Sequence, residues 1–456
     1  MSPAPAPRAM LTAPVGQTLW SMTWPVIFGI TTLISFNFVD TLFISFLGTE
    51  ELAAVGFTFP VSFMVISLTI GLGIGTSAVI ARKLGSNDNE GARQVGSSAI
   101  YLAALLVGGL ALLLFLLTDP IFKVLGATPE LLPLIKQYMY IWYSGAVLLV
   151  VPMVGNSVLR ASGDTKTPSL IMGLGGLLNA VLDPLLIFGL GPFPVLGLQG
   201  AALASVISWA VGFSLIIYWL IWRRKLIDGR PPVLAVFLRS CKRLLHIGLP
   251  AAGANMLTPL AMAVLTAIVA THGAPAVAAF GVGIRLESLA SVVILALSMS
   301  LPPFISQNFG AGNLARVRSA YRTSLFFILA FQFAIYLVLL LLLPGIQAAF
   351  ARDAAVAEVL ALFVWIMPLG YGLQGWIILS NSSLNALHKP MHALSLSVVR
   401  LFATFVPLSI LGNALAGLPG LFVGGVLANI ITGVASYYWF MRISGAELKQ
   451  LQVAVQ

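Results

Sequence analysis

The 456-residue chain predicts an all-α protein that crosses a membrane twelve times, as two related lobes of six helices. Three observations carry this. The sequence is 59% hydrophobic and only 8% charged, too little charge to cover a soluble domain of this size. Uninterrupted apolar runs of about 20 residues recur along the whole length, each long enough to span roughly 30 Å of hydrocarbon as a helix. A membrane β-barrel would instead alternate over segments of about 10 residues. Finally, the chain repeats itself. Shifted by 225 positions, Pro25 meets Pro250, Gly48 meets Gly273, Gly85 meets Gly310, Arg93 meets Arg318 and Asn156 meets Asn381.

The elements follow in order. Residues 1–16, rich in Pro and Ala with a single Arg8, predict a flexible tail without a signal-peptide core. The first lobe is expected over 17–222, with spans near 17–47, 53–82, 95–118, 132–158, 169–190 and 197–222. The polar stretch 223–243 is expected to be a linker between lobes. The second lobe is expected over 244–441, with spans near 244–272, 277–307, 319–343, 358–383, 393–412 and 418–441. Residues 442–456 are expected to form a second tail. Six spans per copy make the repeats parallel, related by an axis along the membrane normal.

The formal charge of +10 is a topology signal. Arg223, Arg224, Lys225, Arg230, Arg239, Lys242 and Arg243 crowd the linker, and further basic residues occupy the other loops on that side. The opposite side has only Lys123, Lys136 and Arg352. Positive loops stay inside, so both termini are expected in the cytoplasm of a bacterial inner membrane. The basic loops meet anionic lipid; no soluble basic module exists to bind nucleic acid. One cysteine, Cys241, cannot form an internal disulfide. His246, His272, His388 and His392 share no metal-ligand spacing with a Cys or carboxylate, so no metal or other cofactor is expected. The GLGIG run at 71–75 lies within an apolar span, where close helix packing is expected rather than phosphate binding.

Three acids lie inside spans: Asp40, Asp183 and Glu287. A charged side chain at a helix centre costs about 2.5–3.5 kcal/mol on insertion scales. It must face a polar cavity, pair with a cation or carry a proton. Asp40 has no Lys or Arg in its span, and Asn37 precedes it by three residues on the same helical face. Asp183 follows Asn179 by four residues and precedes Pro184, whose ring frees the carbonyl of Ala180. The repeat places Leu265 and Val406 where the first copy has Asp40 and Asp183, so only one lobe carries these acids. Proton or small-cation coupling is therefore expected in the first lobe, with polar packing as the bland alternative. Glu287 has Arg285 two residues before it and Arg400 in the eleventh span, so an internal ion pair is expected there. Pro25 and Pro250 are expected bend points of the first helix of each copy.

The segment NAVLDPLLIFGLGPFPVLGLQGAALAS at 179–205 resembles the multidrug and toxic compound extrusion (MATE) family, as do LRASGDTKTP at 159–168 and QNFGAGN at 307–313. That resemblance implies a V-shaped pair of six-helix lobes, alternating access, and drug efflux driven by H⁺ or Na⁺. Within the family the chain looks most like the DinF-type branch. There Asp40 and Asp183 fall on protonation sites, with Asn179, Tyr138 and Asn156 as their polar partners. The NorM-type branch has acids in spans 7 and 10, which this chain lacks in their interiors. The resulting expectation is a transporter, not an enzyme, that acts as a monomer and exchanges protons for amphiphilic, cationic compounds. A sodium-coupled exporter, a lipid-linked precursor flippase and a non-transporting scaffold are the alternatives. A cavity that holds pyrophosphate would need free cations, and Glu287 stands ready to neutralise Arg285 and Arg400.

Overall fold

The computed structural model describes residues 7–351 and 353–455. A short helix α1 (Pro7–Thr12) leads into α2 (Val15–Ser45), α3 (Thr49–Gly85), α4 (Asn89–Leu116), α5 (Thr118–Val124), α6 (Leu131–Ala161), α7 (Lys166–Phe188) and α8 (Leu198–Tyr218). The second half runs α9 (Leu234–Ala270), α10 (Ala274–Ala290), α11 (Val292–Gly310), α12 (Leu314–Phe350), α13 (Ala354–Ile366), α14 (Tyr371–Ala386), α15 (Pro390–Val398) and α16 (Val406–Val455). All described regular structure is helical. Among the described residues, eleven continuous stretches are long and apolar enough to cross a membrane. The last of them holds two of the twelve expected spans. Its helix breaks at Ala416 and Gly417, where Gly417 takes φ 62°. The chain doubles back there, and Gly412 and Gly420 press backbone to backbone with no room for a Cβ on either.

The repeat is visible in backbone geometry. Asn87 (φ 61°) and its counterpart Gly312 (φ 74°) both end a helix in the left-handed region. So do Gly163 (φ 91°) and His388 (φ 60°). Each forms the paired hydrogen bonds of a Schellman end. In the first case the Asp88 N–H donates to Lys83 at 2.8 Å; in its repeat the Asn313 N–H donates to Asn308 at 2.8 Å. Asp88 and Asn313 then cap the next helix, accepting from the N–H groups of Gly91 and Arg316. These turns explain the two loop motifs at 159–168 and 307–313.

Two compact units emerge. One is Trp24–Ala252; the other joins Ala9–Thr23 to Gly253–Gln456. The division differs from the expected lobes 17–222 and 244–441. The stretch 223–243 is not a free linker but part of the first unit. Arg224 pairs with the buried Asp164 at 2.5 Å, and Arg93 reaches Asp228 at 3.3 Å. Helix α9 already begins at Leu234. Gly71 and Gly75 let its first half pack closely, touching Gly248 and Leu244. The tails differ from expectation too. Within 1–16, Pro7–Thr12 is helical and Met10 is fully buried in the second unit. Arg316 donates to the carbonyls of Met10 and Ala13 at 3.1 and 2.7 Å. At the other end α16 continues to Val455, and Glu447 pairs with Lys389 at 2.7 Å.

Candidate functional site in the first unit

Helix α7 supplies Asp183 and Asn179 one turn apart, as their four-residue spacing requires. Asp183 is fully buried. Its Oδ1 accepts from Asn179 Nδ2 at 3.3 Å, and the same amide donates to Ser205 on α8 at 3.3 Å. The half-buried Asp40 carboxyl on α2 is its neighbour, close enough for the two groups to interact directly. Tyr138 on α6 lies within the field of both acids. One oxygen of each carboxyl, Oδ1 of Asp40 and Oδ2 of Asp183, is buried without a hydrogen-bond partner. Neither acid takes part in an ion pair among the described residues.

Two adjacent carboxylates with no cation repel strongly in a low-dielectric interior. One proton between them replaces that repulsion with an O–H···O contact. Such an arrangement is chemically able to take up and release a proton. Their packing brackets the pair. The ring of Phe36, one turn before Asp40, fills the space above Gly176, where no Cβ fits. Beyond the acids, Phe43 and Phe188 meet edge to face at 6.2 Å. Gly29 lies against Ser169 further along.

Not every expected partner joins the cluster. Asn37 is exposed, and its carbonyl serves Thr41 Oγ1 at 2.9 Å within α2. Asn156 shares α6 with Tyr138 but lies eighteen residues on, about 27 Å along the axis. It is buried near the other end of the helix, with Oδ1 unpartnered. Its repeat counterpart Asn381 donates to Ser397 at 2.9 Å, a packing contact between helices. Pro25 and Pro184 both sit inside continuous helices. Pro25 lies one residue past the point where α2 passes between units. Ser205 and Gly176 are the members that sequence reasoning missed. Gly176 shares a face with Asp183, two turns away, which is the signal that could have found it.

In the second unit the expected ion pair of Glu287 with Arg285 or Arg400 is replaced by another arrangement. Gln374 Nε2 donates to Glu287 Oε1 at 2.9 Å. Arg285 is exposed. Arg400 feels the charge of Glu287 but donates to Asn429 Oδ1 at 3.3 Å and lies over the Phe405 ring at 5.7 Å.

Comparison with known proteins agrees with the architecture. The MatE family model matches residues 25–185 and 250–411, one match per repeat. The chain is 42% identical over 436 residues to a FAD transporter of Shewanella oneidensis, covering 96% of each. It is 25% identical to the multidrug export protein MepA of Staphylococcus aureus, covering 93% of each. The crystal structure of the Vibrio cholerae MATE transporter VcmN in the bent form superposes with a TM-score of 0.90 at 35% identity, over 95% of this chain and 98% of that one. A doubled helical fold, one family match per repeat and this likeness along nearly the whole length have one reading: the chain belongs to the MATE family of multi-pass membrane transporters and is a transporter, not an enzyme.

Proposed function

We propose that this protein is a proton-coupled exporter of the bacterial inner membrane, with both termini cytoplasmic and Asp40 and Asp183 as the coupling pair. The observation that carries the reading is two neighbouring, cation-free carboxyls in one unit. Sodium, like other hard cations, asks for several converging oxygens. Here Asn179 turns its amide N–H groups toward Asp183 and Ser205, offering donors where a sodium site needs acceptors. Protonation from the outer side removes the charge that keeps the pair apart, and release to the cytoplasm restores it. Each proton moved inward gains about 2.3 kcal/mol per 100 mV.

For the cargo, the 42% identical FAD transporter supports a flavin dinucleotide ahead of the amphiphilic cation expected from sequence. The sequence argument against a pyrophosphate cargo rested on Glu287 neutralising Arg285 and Arg400. The contacts around Glu287 weaken that argument: Gln374 holds its carboxylate, Arg285 is exposed, and Arg400, though within the field of Glu287, donates to Asn429. The test is FAD efflux from proteoliposomes under an imposed pH gradient, repeated with a sodium gradient. Efflux that follows the pH gradient and stops in Asp40→Asn supports the reading. Efflux driven by sodium alone overturns the proton assignment, and transport of a cationic dye without FAD overturns the cargo.

A further inference from the structure

The second unit holds a polar group of its own, and unlike the first it contains a cation. Arg400 lies about 15 Å along its helix from Pro390, near the middle of a roughly 30 Å hydrocarbon layer. Substrate sites of secondary transporters cluster at that depth. With the slightly shorter shift that pairs Pro184 with Pro407, Arg400 corresponds to Leu177 of the first copy, and Asp183 to Val406. Along corresponding helices, one repeat carries an acid, Asp183, and the other a guanidinium.

A cation at this depth must be used or neutralised. Arg400 is half-buried, and no ion pair of 4.0 Å or less involves it among the described residues. A guanidinium carries five N–H donors. Asn429, itself 2% exposed, accepts one of them. The Phe405 ring backs the guanidinium plane. The segment Val399–Phe405 is wound as a π-helix, a form that recurs at functional sites. Tyr371, 2% exposed and within the field of Glu287, keeps its hydroxyl without a hydrogen-bond partner. Thr404 and Thr432 add hydroxyls 2.9 Å apart. Tyr371 follows Gly370, where a β-carbon would lie 3.2 Å from Asn429 Nδ2. Planar donors over an aromatic ring suit a phosphate ester attached to a flat ring system.

The geometry points to Arg400 as the recognition point for the phosphate groups of the cargo, with Phe405, Asn429 and Tyr371 completing the site. This rests on the flavin-export reading and adds the residue that selects a phosphorylated flavin. Glu287 is the competing anion. Gln374 holds its carboxylate, and an arriving phosphate replaces it as the charge that Arg400 faces.

The test compares FAD with riboflavin, which has the same ring system and no phosphate, in pH-driven proteoliposome transport. Arg400→Gln is expected to raise the KM for FAD about tenfold or more, the size of a lost charge-assisted hydrogen bond. It is expected to leave riboflavin unchanged. Arg400→Lys keeps the charge without the fork, so an intermediate FAD value is expected; it also serves if the Gln variant fails to fold. Glu287→Gln removes the competitor and is expected to lower the KM for FAD. Equal FAD kinetics in wild type and Arg400→Gln overturn the assignment while leaving flavin export standing. An equal loss for both flavins marks a structural residue and overturns it too. A variant effect seen in phosphatidylglycerol vesicles but absent in pure phosphatidylcholine assigns Arg400 to a lipid headgroup and likewise overturns it. Wild-type protein that moves neither flavin removes the export reading and this inference with it.

Discussion

At the residue scale the protein separates two kinds of acid. Asp40 and Asp183 have no basic partner among the described residues, and Asn179, Ser205 and Tyr138 lie around them. An amide at either position imitates the protonated carboxyl but cannot release a proton. Asp40→Asn and Asp183→Asn are therefore expected to abolish pH-driven efflux while melting within a few degrees of wild type. Normal efflux in either variant, at equal expression, removes that residue from the coupling pair. Asp88 is the opposite case, an exposed acid in a loop. The hydrogen bond from Lys83 and that from the Gly91 N–H hold its carboxyl below the usual aspartate range. A depressed folded-state value means that its contribution is present above the ordinary aspartate pKa of about 3.9 and fades as pH falls through the lower folded value. Asp88→Ala should cost about 1 kcal/mol as a lost helix cap and leave transport intact. Asp88→Asn should be nearly neutral, because its repeat counterpart Asn313 already caps α12 in that role. Denaturation in detergent at neutral and acid pH checks both variants.

At the scale of elements, glycines decide how closely helices approach. Phe36 of α2 rests on Gly176 of α7, between the acid pair and the contact of Gly29 with Ser169. Any β-carbon at Gly176 pushes α2 away and pulls Asp40 from Asp183. Gly176→Val is expected to reduce pH-driven efflux about tenfold or more. A β-carbon on its neighbour Gly175 would meet nothing within 4 Å, so Gly175→Val is the matched control and should transport normally. Equal behaviour of the two variants would show that the α2–α7 approach does not govern coupling. Gly71 tells the same story for α3 and α9. A β-carbon there would run into the Gly248 carbonyl, so a larger side chain forces the two helices apart. Overpacking of this kind costs typically about 1–3 kcal/mol, so Gly71→Val should lower the melting temperature even where transport survives.

Across the whole molecule, the repeat is kept in the backbone and abandoned in the chemistry. Thr23 bonds to Ser300 at 2.7 Å in the second unit; their repeat counterparts, Gly248 and Gly75, meet as bare backbone in the first. The same contact is polar in one copy and glycine-tight in the other. The N-terminus shows a comparable asymmetry. Arg316 and Asn308 grip the carbonyls of Met10 and Ala13, whereas the repeat positions hold Gly91 and Lys83. Arg316→Ala removes two of the hydrogen bonds that hold this segment, those to the carbonyls of Met10 and Ala13, so limited proteolysis should cut near Arg8 faster than in wild type. An unchanged cleavage rate would show that Asn308 and the burial of Met10 suffice to retain the helix.

The number of spans, their six-and-six doubling and the placing of Asp40 and Asp183 in one copy were legible in the sequence alone. Each is a local property: a run of apolar residues, a repeated spacing, a charge where charge is costly. The turn geometry at 87–88 and 312–313 was equally local, since Asn, Gly and Asp favour left-handed and capping positions. Meetings between residues far apart in the chain were decided only by tertiary structure. Nothing in the spacing of Asp40 and Asp183 says that their carboxyls become neighbours. Nothing near Glu287 in sequence shows that Gln374, eighty-seven residues on, takes its carboxylate while Arg400 has no ion pair among the described residues. The unit boundary moved from a polar loop into the middle of α9 for the same reason. Polarity marks where a chain leaves the membrane, but packing at Gly71 and Gly75 marks which helices belong to one unit.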